Sequence, residues 1–257
     1  PVMESFFAAQ PGLAPFRVLG VLHLVTLLLL LAADILLIHL LRKSGRDSRK
    51  AFRLGAAFLL LFLEIAEQYW FAATGSWKIS SSLPLHLCRI GSFLTALMLL
   101  TRSYRLYEIA YFWALAGAVN ALLTPAISVY GFPHFRFFKF FLSHNLLVLA
   151  PVYMTLAEGY RPTLASLGRV AVITHLYAGV AALVNFRLGS NYLYLSRNPG
   201  GSTLLGWFGE WPSYLPALWG AGVLLFLLVY APFPVRDWWK RRGGSLSREE
   251  DYGGQEG

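Results

Sequence analysis

The chain has 257 residues, of which 56% are hydrophobic and only 14% charged, and it carries a formal net charge of +9. A mean hydropathy of +0.53 is too high for a water-soluble globule of this length, so much of the surface has to face lipid. A single cysteine excludes an internal disulfide and a cysteine-built metal centre. The basic residues sit in breaks between apolar runs, where topology and anionic head groups account for them, and nucleic acid is not an expected partner.

A bilayer-spanning helix needs about 20 apolar residues. On that basis the sequence predicts an all-α polytopic bundle of seven transmembrane helices. In chain order they run from Phe16 to Leu41, Phe52 to Ala73, Leu83 to Thr101, Tyr104 to Ile127, Phe137 to Ala157, Thr163 to Phe186, and Trp211 to Pro232. The first run is too long for a signal-peptide core and lacks a small-residue cleavage pattern, so it is kept as a mature helix. Residues 1–235 form one membrane domain; 236–257, rich in Gly, Ser, Glu and Asp, form a cytoplasmic tail expected to be disordered. Trp238 and Trp239 beside Lys240 read as an interfacial anchor.

Orientation follows from lysine and arginine. Arg42, Lys43, Arg46, Arg49, Lys50 and Arg53, then Arg102, Arg105, Arg161, Arg169, and Arg236, Lys240, Arg241, Arg242 and Arg248, fall on one side. Arg17, Lys78, Arg136, Lys139, Arg187 and Arg197 fall on the other. The richer side is expected in the cytoplasm, with the amino terminus outside and the carboxyl terminus inside.

Ionisable groups are costly in hydrocarbon, so each is a functional candidate. With this topology, His86, Cys88 and Arg89 on the third helix, His144 and Asn145 on the fifth, Glu67 on the second, with Glu64 one turn deeper, and Asn120 on the fourth share one outer-leaflet depth. That layer predicts a polar pocket. A thiol becomes a strong nucleophile when an imidazole takes its proton, so Cys88 with His144 is the candidate catalytic pair. His86 is two positions from Cys88, about 200° around a helix, which ranks it below His144 as the base. Arg89 is expected to pair with Glu67 or Glu64; a structural salt bridge is the simpler role for these three. Arg89, Asn120 and Asn145 are candidate donors to an oxyanion. Asp34 and His175 are expected to satisfy each other or nearby backbone, and His39 and His134 to be solvated.

The runs Leu83-Pro84-Leu85-His86-Leu87-Cys88, Tyr111-Phe112-Trp113-Ala114-Leu115-Ala116-Gly117 and Ala121-Leu122-Leu123-Thr124-Pro125 open an ordered set of motifs. Phe132-Pro133-His134-Phe135, Ser143-His144, Tyr160-Arg161-Pro162, Asn191-Tyr192 and Trp211-Pro212 continue it. Together they resemble the YwaF family of bacterial membrane proteins, relatives of vertebrate transmembrane protein 164 and, more distantly, of androgen-induced membrane hydrolases. The vertebrate relative is regarded as a phospholipid acyltransferase that uses a cysteine and a histidine. The resemblance assigns those roles to Cys88 and His144, and implies a membrane phospholipid or lysophospholipid substrate, no cofactor and no metal, in a bacterial inner membrane. Asn120 stands where the family carries a glutamine, Ala126 where it often has an aspartate, and Asn198-Pro199 where lysine-proline is usual.

The expected function is thus intramembrane acyl transfer, or acyl hydrolysis if water enters. The alternatives are a transporter or channel with Asp34, Glu64, Glu67, His86 and His175 as a relay, and a non-catalytic lipid-binding protein. The absence of an internal repeat weighs against the inverted-repeat transporters.

The charge bias predicts that the Arg42–Arg53 loop, with six basic residues, is cytoplasmic and the Ser128–Arg136 loop is outside. Cysteines placed in each loop and probed with an impermeant thiol reagent in intact cells should label at the second loop only; labelling at the first alone would invert the topology.

Overall fold

Inside a bilayer the backbone has no water to bond with, so an apolar chain satisfies its peptide groups in helices. The computed structural model describes residues 2–10, 12, 15–127, 129–198 and 209–241, and all regular structure among them is helical. The membrane helices are α1 (Val21–Lys43), α2 (Arg46–Ala73), α3 (Leu87–Thr101), α4 (Tyr104–Leu123), α5 (Phe135–Leu156), α6 (Leu164–Leu188) and α7 (Tyr214–Arg241). Six are long and apolar enough to cross a membrane. The exception is α3, whose 15 residues reach only about 22 Å against a hydrocarbon core of about 30 Å.

The helix boundaries differ from expectation where proline and turn residues intervene. Pro84 disfavours helical geometry at Leu83, which is extended at φ −60°, ψ 145°, so α3 starts at Leu87 and not at Leu83. Pro125 likewise ends α4 at Leu123, with Thr124 at φ −130°, ψ 65°. Leu19, at φ 59°, delays α1 to Val21. At the other end of the chain, α7 runs on to Arg241, so the first part of the expected disordered tail is helical; 242–257 lie outside the described residues.

α2, α3, α4 and α5 form the centre of the bundle, with α3 packed against the other three. In their most apolar stretches α2, α4 and α5 are 39%, 56% and 61% buried, whereas α1, α6 and α7 are 6–11% buried and present their sides to lipid. Leu60, Met98, Phe112 and Tyr153 fill the core, and α4 passes through a π-helical turn, Ala114–Ala118, at its middle. α1 is tied to the centre by polar contacts. His23 accepts from Leu19 N at Nδ1 and bonds the Leu122 carbonyl through Nε2 at 2.8 Å, while Asn145 donates to Asp34 Oδ1 at 2.9 Å.

A short helix, Val2–Phe7, lies across the predicted outer end. Trp70 Nε1 donates to Phe7 O at 2.8 Å, His134 Nε2 to Ala8 O at 3.0 Å and Tyr130 Oη to Ala9 O at 3.3 Å. His134 is therefore fully buried rather than solvated, and burial pushes its imidazole below the ordinary value.

Charge clusters tie the opposite end. Glu108 accepts from Ser166 Oγ and Arg169, joining α4 to α6. Glu158, just past α5, takes Arg53 Nη1 at 2.9 Å, Arg102 Nη2 at 3.1 Å and the Tyr153 hydroxyl. Burial alone would raise the Glu158 carboxyl, but the Tyr153 bond and the two guanidiniums outweigh it and hold it below its ordinary 4.5. A carboxyl depressed in this way stabilises the fold fully above its unfolded value, and that stability is lost as pH falls through the folded value. Melting of the detergent-solubilised protein should thus weaken below about pH 4.5. Glu158→Gln should be less stable at neutral pH and should show a shallower acid limb; an unchanged limb would refute the role of this latch.

Candidate functional site

The inner faces of α2 and α5 can be followed by their spacing. Leu60, Leu63, Glu64, Glu67 and Trp70 on α2, and Lys139, Ser143, Leu146, Ala150 and Tyr153 on α5, recur every three or four residues and are all buried. Facing stripes of this kind bring their polar members together. Lys139 Nζ lies 2.9 Å from Glu64 Oε1 and 2.8 Å from Glu67 Oε2, with all three side chains at most 6% exposed. Arg89 reaches Glu67 Oε2 from the start of α3 at 3.2 Å, and Arg136 reaches Glu67 Oε1 at the same distance. Ser92 Oγ donates to Glu64 Oε1 at 3.1 Å. The Arg136 guanidinium also lies over the rings of Trp70, Phe71 and Tyr130, and that of Arg89 over Phe71.

The expected Glu67–Arg89 pair is therefore present, but as part of a network of five charged residues and Ser92 that includes Lys139. The charge count assigns Lys139 to the outer side along with loop residues, although it falls within the expected fifth helix; its place on the Lys139–Ser143–Leu146 stripe is the sequence signal that marks it as internal. Other members of the expected layer lie elsewhere. Asn120 is on the exposed side of α4, and Asn145 is committed to Asp34. His86 is the residue before α3, with its ring 5.5 Å from that of Tyr192 and 5.3 Å from that of Tyr194. Asp34 and His175 do not pair. His175 bonds the Ala171 carbonyl through Nδ1 and accepts from Trp219 Nε1 at 2.5 Å. Of the groups considered for a relay, Glu64 and Glu67 share Lys139, while Asp34, His86 and His175 each make separate local contacts.

The break before α3 is held by side chains. Gln68 and Arg89 donate to Ser82 O, Tyr192 Oη accepts from Leu83 N, and Tyr177 Oη donates to Leu85 O at 2.8 Å. Non-helical backbone within such a bundle is tolerated when protein groups satisfy it in this way. Its consequence is that Cys88 sits in the first turn of α3, where the leading amides have no acceptor within the helix.

A methyl group built on Gly91 lies 3.8 Å from Leu147 Cδ2, which sets the register of α3 against α5. α3 joins α4 by a short turn and α4 joins α5 through residues 124–134, so α3 and α5 run in the same direction. Stepping back three residues on each therefore brings Cys88 level with His144. No hydrogen bond joins the two. His144 bonds the Phe140 carbonyl through Nδ1 at 2.8 Å and stacks on the Phe140 ring at 4.1 Å. A carbonyl can only accept, so Nδ1 carries the proton and Nε2 keeps its lone pair. Cys88 also lines a small cavity with Gly91, Thr95, Ala114, Ala118 and Leu147.

A model of the TMEM164 family matches residues 18–230. The chain belongs to that family. It is also 29% identical over 184 residues to an uncharacterized protein of Treponema pallidum (strain Nichols), covering 70% of this chain and 74% of that protein. No solved structure matches it. The break before α3, both faces of the ionic network and the Cys88 cavity all lie within the segment matched by the family.

Removing Lys139 would leave two buried carboxylates without their central cation. Lys139→Met should therefore destabilise the fold by about 3–5 kcal/mol, the usual cost of breaking a buried pair from one side. Glu67→Gln should cost less in an Arg89→Gln background than in the wild type. Thermal unfolding of the single and double variants measures both, and strictly additive losses would reject the coupling.

Proposed function

We propose that the protein is an intramembrane acyl-transfer enzyme acting on membrane phospholipid, with Cys88 as nucleophile and His144 as its base. The observation that carries this reading is the tautomer of His144. Its Nδ1 proton is committed to the Phe140 carbonyl, so the nitrogen left to accept a proton belongs to a residue level with the chain's one thiol. The family resemblance assigns the same two residues.

In the first half-reaction Cys88 Sγ gives its proton to His144 Nε2 and attacks the acyl ester carbonyl. A C–S bond forms, the ester C–O bond breaks, and the lysolipid oxygen leaves with the proton from Nε2. In the second, a lipid hydroxyl loses its proton to Nε2 and attacks the thioester; Cys88 leaves and recovers the proton. Hydrolysis differs only in that water is the acceptor. The amides that open α3 at Leu87 and Cys88 are the donors best placed for the carbonyl oxygen, since Arg89, Asn120 and Asn145 are engaged or turned away. The cellular site proposed is a bacterial inner membrane, with the pocket in its outer half.

Acyl exchange between labelled phospholipids in liposomes, with capture of the thioester on Cys88, tests the proposal. Cys88→Ala should abolish exchange and capture together. His144→Ala should keep the fold and lower both sharply, and the double variant should be little worse than either single one. Full exchange by purified Cys88→Ala protein would end the covalent mechanism.

A further inference from the structure

The ionic network holds more positive than negative charge. Arg89, Arg136 and Lys139 share Glu64 and Glu67, and no other carboxylate pairs with them among the described residues. One cation in excess within a membrane bundle is costly unless an anion reaches it. Exposure shows where that anion can enter. The side chains of Glu64, Glu67 and Lys139 are closed in, whereas those of Arg89 and Arg136 are 14% and 24% exposed, so the network opens at its arginines. α3 and α5 both begin at this end, and the positive ends of their dipoles add to the field.

The two guanidiniums differ in how fully they are used. Arg89 commits Nη1 to Ser82 O and Nη2 to Glu67. Arg136 commits only Nη2, to Glu67, and its Nε and Nη1 have no acceptor among the described residues. The rings of Trp70, Phe71 and Tyr130 hold it, at 4.7–5.4 Å from ring centre to guanidinium. A planar cation kept rigid on aromatic surface is a prepared donor to an anionic oxygen.

The arginines lie outward of the candidate catalytic pair. Helical side chains lean towards the amino terminus, and Arg89 reaches back to Ser82 O, on the outer side of Cys88. Arg136 precedes His144 by eight residues, about 12 Å outward by helical rise. A glycerophospholipid has the same order, with its phosphate outermost and its ester carbonyls below on the same glycerol.

We infer that Arg136, with the charge of Arg89 beside it, receives the phosphate of a phospholipid whose acyl ester lies at Cys88. The inference rests on the acyl-transfer reading above. A phosphodiester carries the single negative charge that brings the network to neutrality, and it takes the donors of Arg136 that the protein leaves unused. Glu67, bonded to both arginines, keeps them in place before the lipid arrives.

The test reads binding and does not depend on catalysis. Purified full-chain protein in a neutral detergent is melted in the presence of dihexanoyl phosphatidylglycerol, dihexanoylglycerol or inorganic phosphate. The phospholipid should raise the melting temperature. The diacylglycerol, with the same esters but no phosphate, and inorganic phosphate, with no chains, should each bind at least about tenfold more weakly, the factor for one charge-assisted hydrogen bond. Arg136→Gln should erase the preference for phospholipid over diacylglycerol. Arg136→Lys keeps a cation for Glu67 without the spare planar donors, so it carries the comparison if the glutamine variant does not fold, and it should lose part of the preference. Full preference in either folded variant would overturn the site, as would wild-type protein that binds diacylglycerol or inorganic phosphate as tightly as the phospholipid. In phospholipid exchange, Arg136→Gln should raise KM more than it lowers kcat. Phosphate-dependent binding without any exchange would remove the acyl-transfer reading and leave the head-group site standing.

Discussion

Lys139 sits between two carboxylates at a depth where none of the three could remain charged alone. The arrangement of α2, α3 and α5 follows from that constraint. Replacing such a cluster with apolar side chains of similar volume often stabilises a protein, so its value here lies less in net energy than in register. Sliding α5 by one turn would separate Lys139 from Glu64 and Glu67 and leave Lys139 and Glu64 uncompensated, with only Arg89 remaining to Glu67. The surrounding guanidiniums reinforce the position, since Arg89 and Arg136 bracket Glu67 from α3 and α5 and rest on aromatic rings. The level pairing of Cys88 with His144, and the fit of Leu147 over Gly91, both depend on that register.

The second constraint is the backbone break at Leu83–His86. A continuous helix would have placed Cys88 one turn inside α3, with its amide consumed by the helix. Pro84 prevents this, and the groups that Pro84 leaves exposed are taken up by Gln68, Tyr177 and Tyr192 from other parts of the chain. The polar side chains that hold the break therefore also fix the geometry of the first turn. In the same way, the Phe140 carbonyl fixes which imidazole nitrogen of His144 is free. Both candidate catalytic groups thus owe their chemical state to backbone atoms close to them in sequence.

Much of the bundle was legible because hydrophobic length alone reports a span in a lipid solvent. The Glu67–Arg89 pair was found where it was expected. Asn120 was misjudged because depth says nothing about direction around a helix, and it points outward. Lys139 was misjudged because counting charges for topology treats every lysine near a helix end as solvated; only the three-and-four spacing along α5 distinguishes it. His134 was expected to be solvated, since nothing local reveals that the carbonyl of Ala8 returns to cover it. The cavity was not legible at all, because it arises from a missing side chain on α3 opposite a π-helical turn on α4.

α1 illustrates a different consequence of living in lipid. Its apolar surface gains nothing by touching protein instead of acyl chains, so hydrophobicity can insert this helix but cannot choose its azimuth. His23 and Asp34 are eleven residues apart, close to three full turns, and so lie on one edge of the cylinder. Two hydrogen bonds on that edge, to the Leu122 carbonyl and from Asn145, act as a key that sets the rotation of an otherwise featureless rod. Almost any leucine-rich sequence could replace the rest of α1 without loss of fit, whereas exchanging His23 or Asp34 for leucine would leave the helix inserted and free to turn.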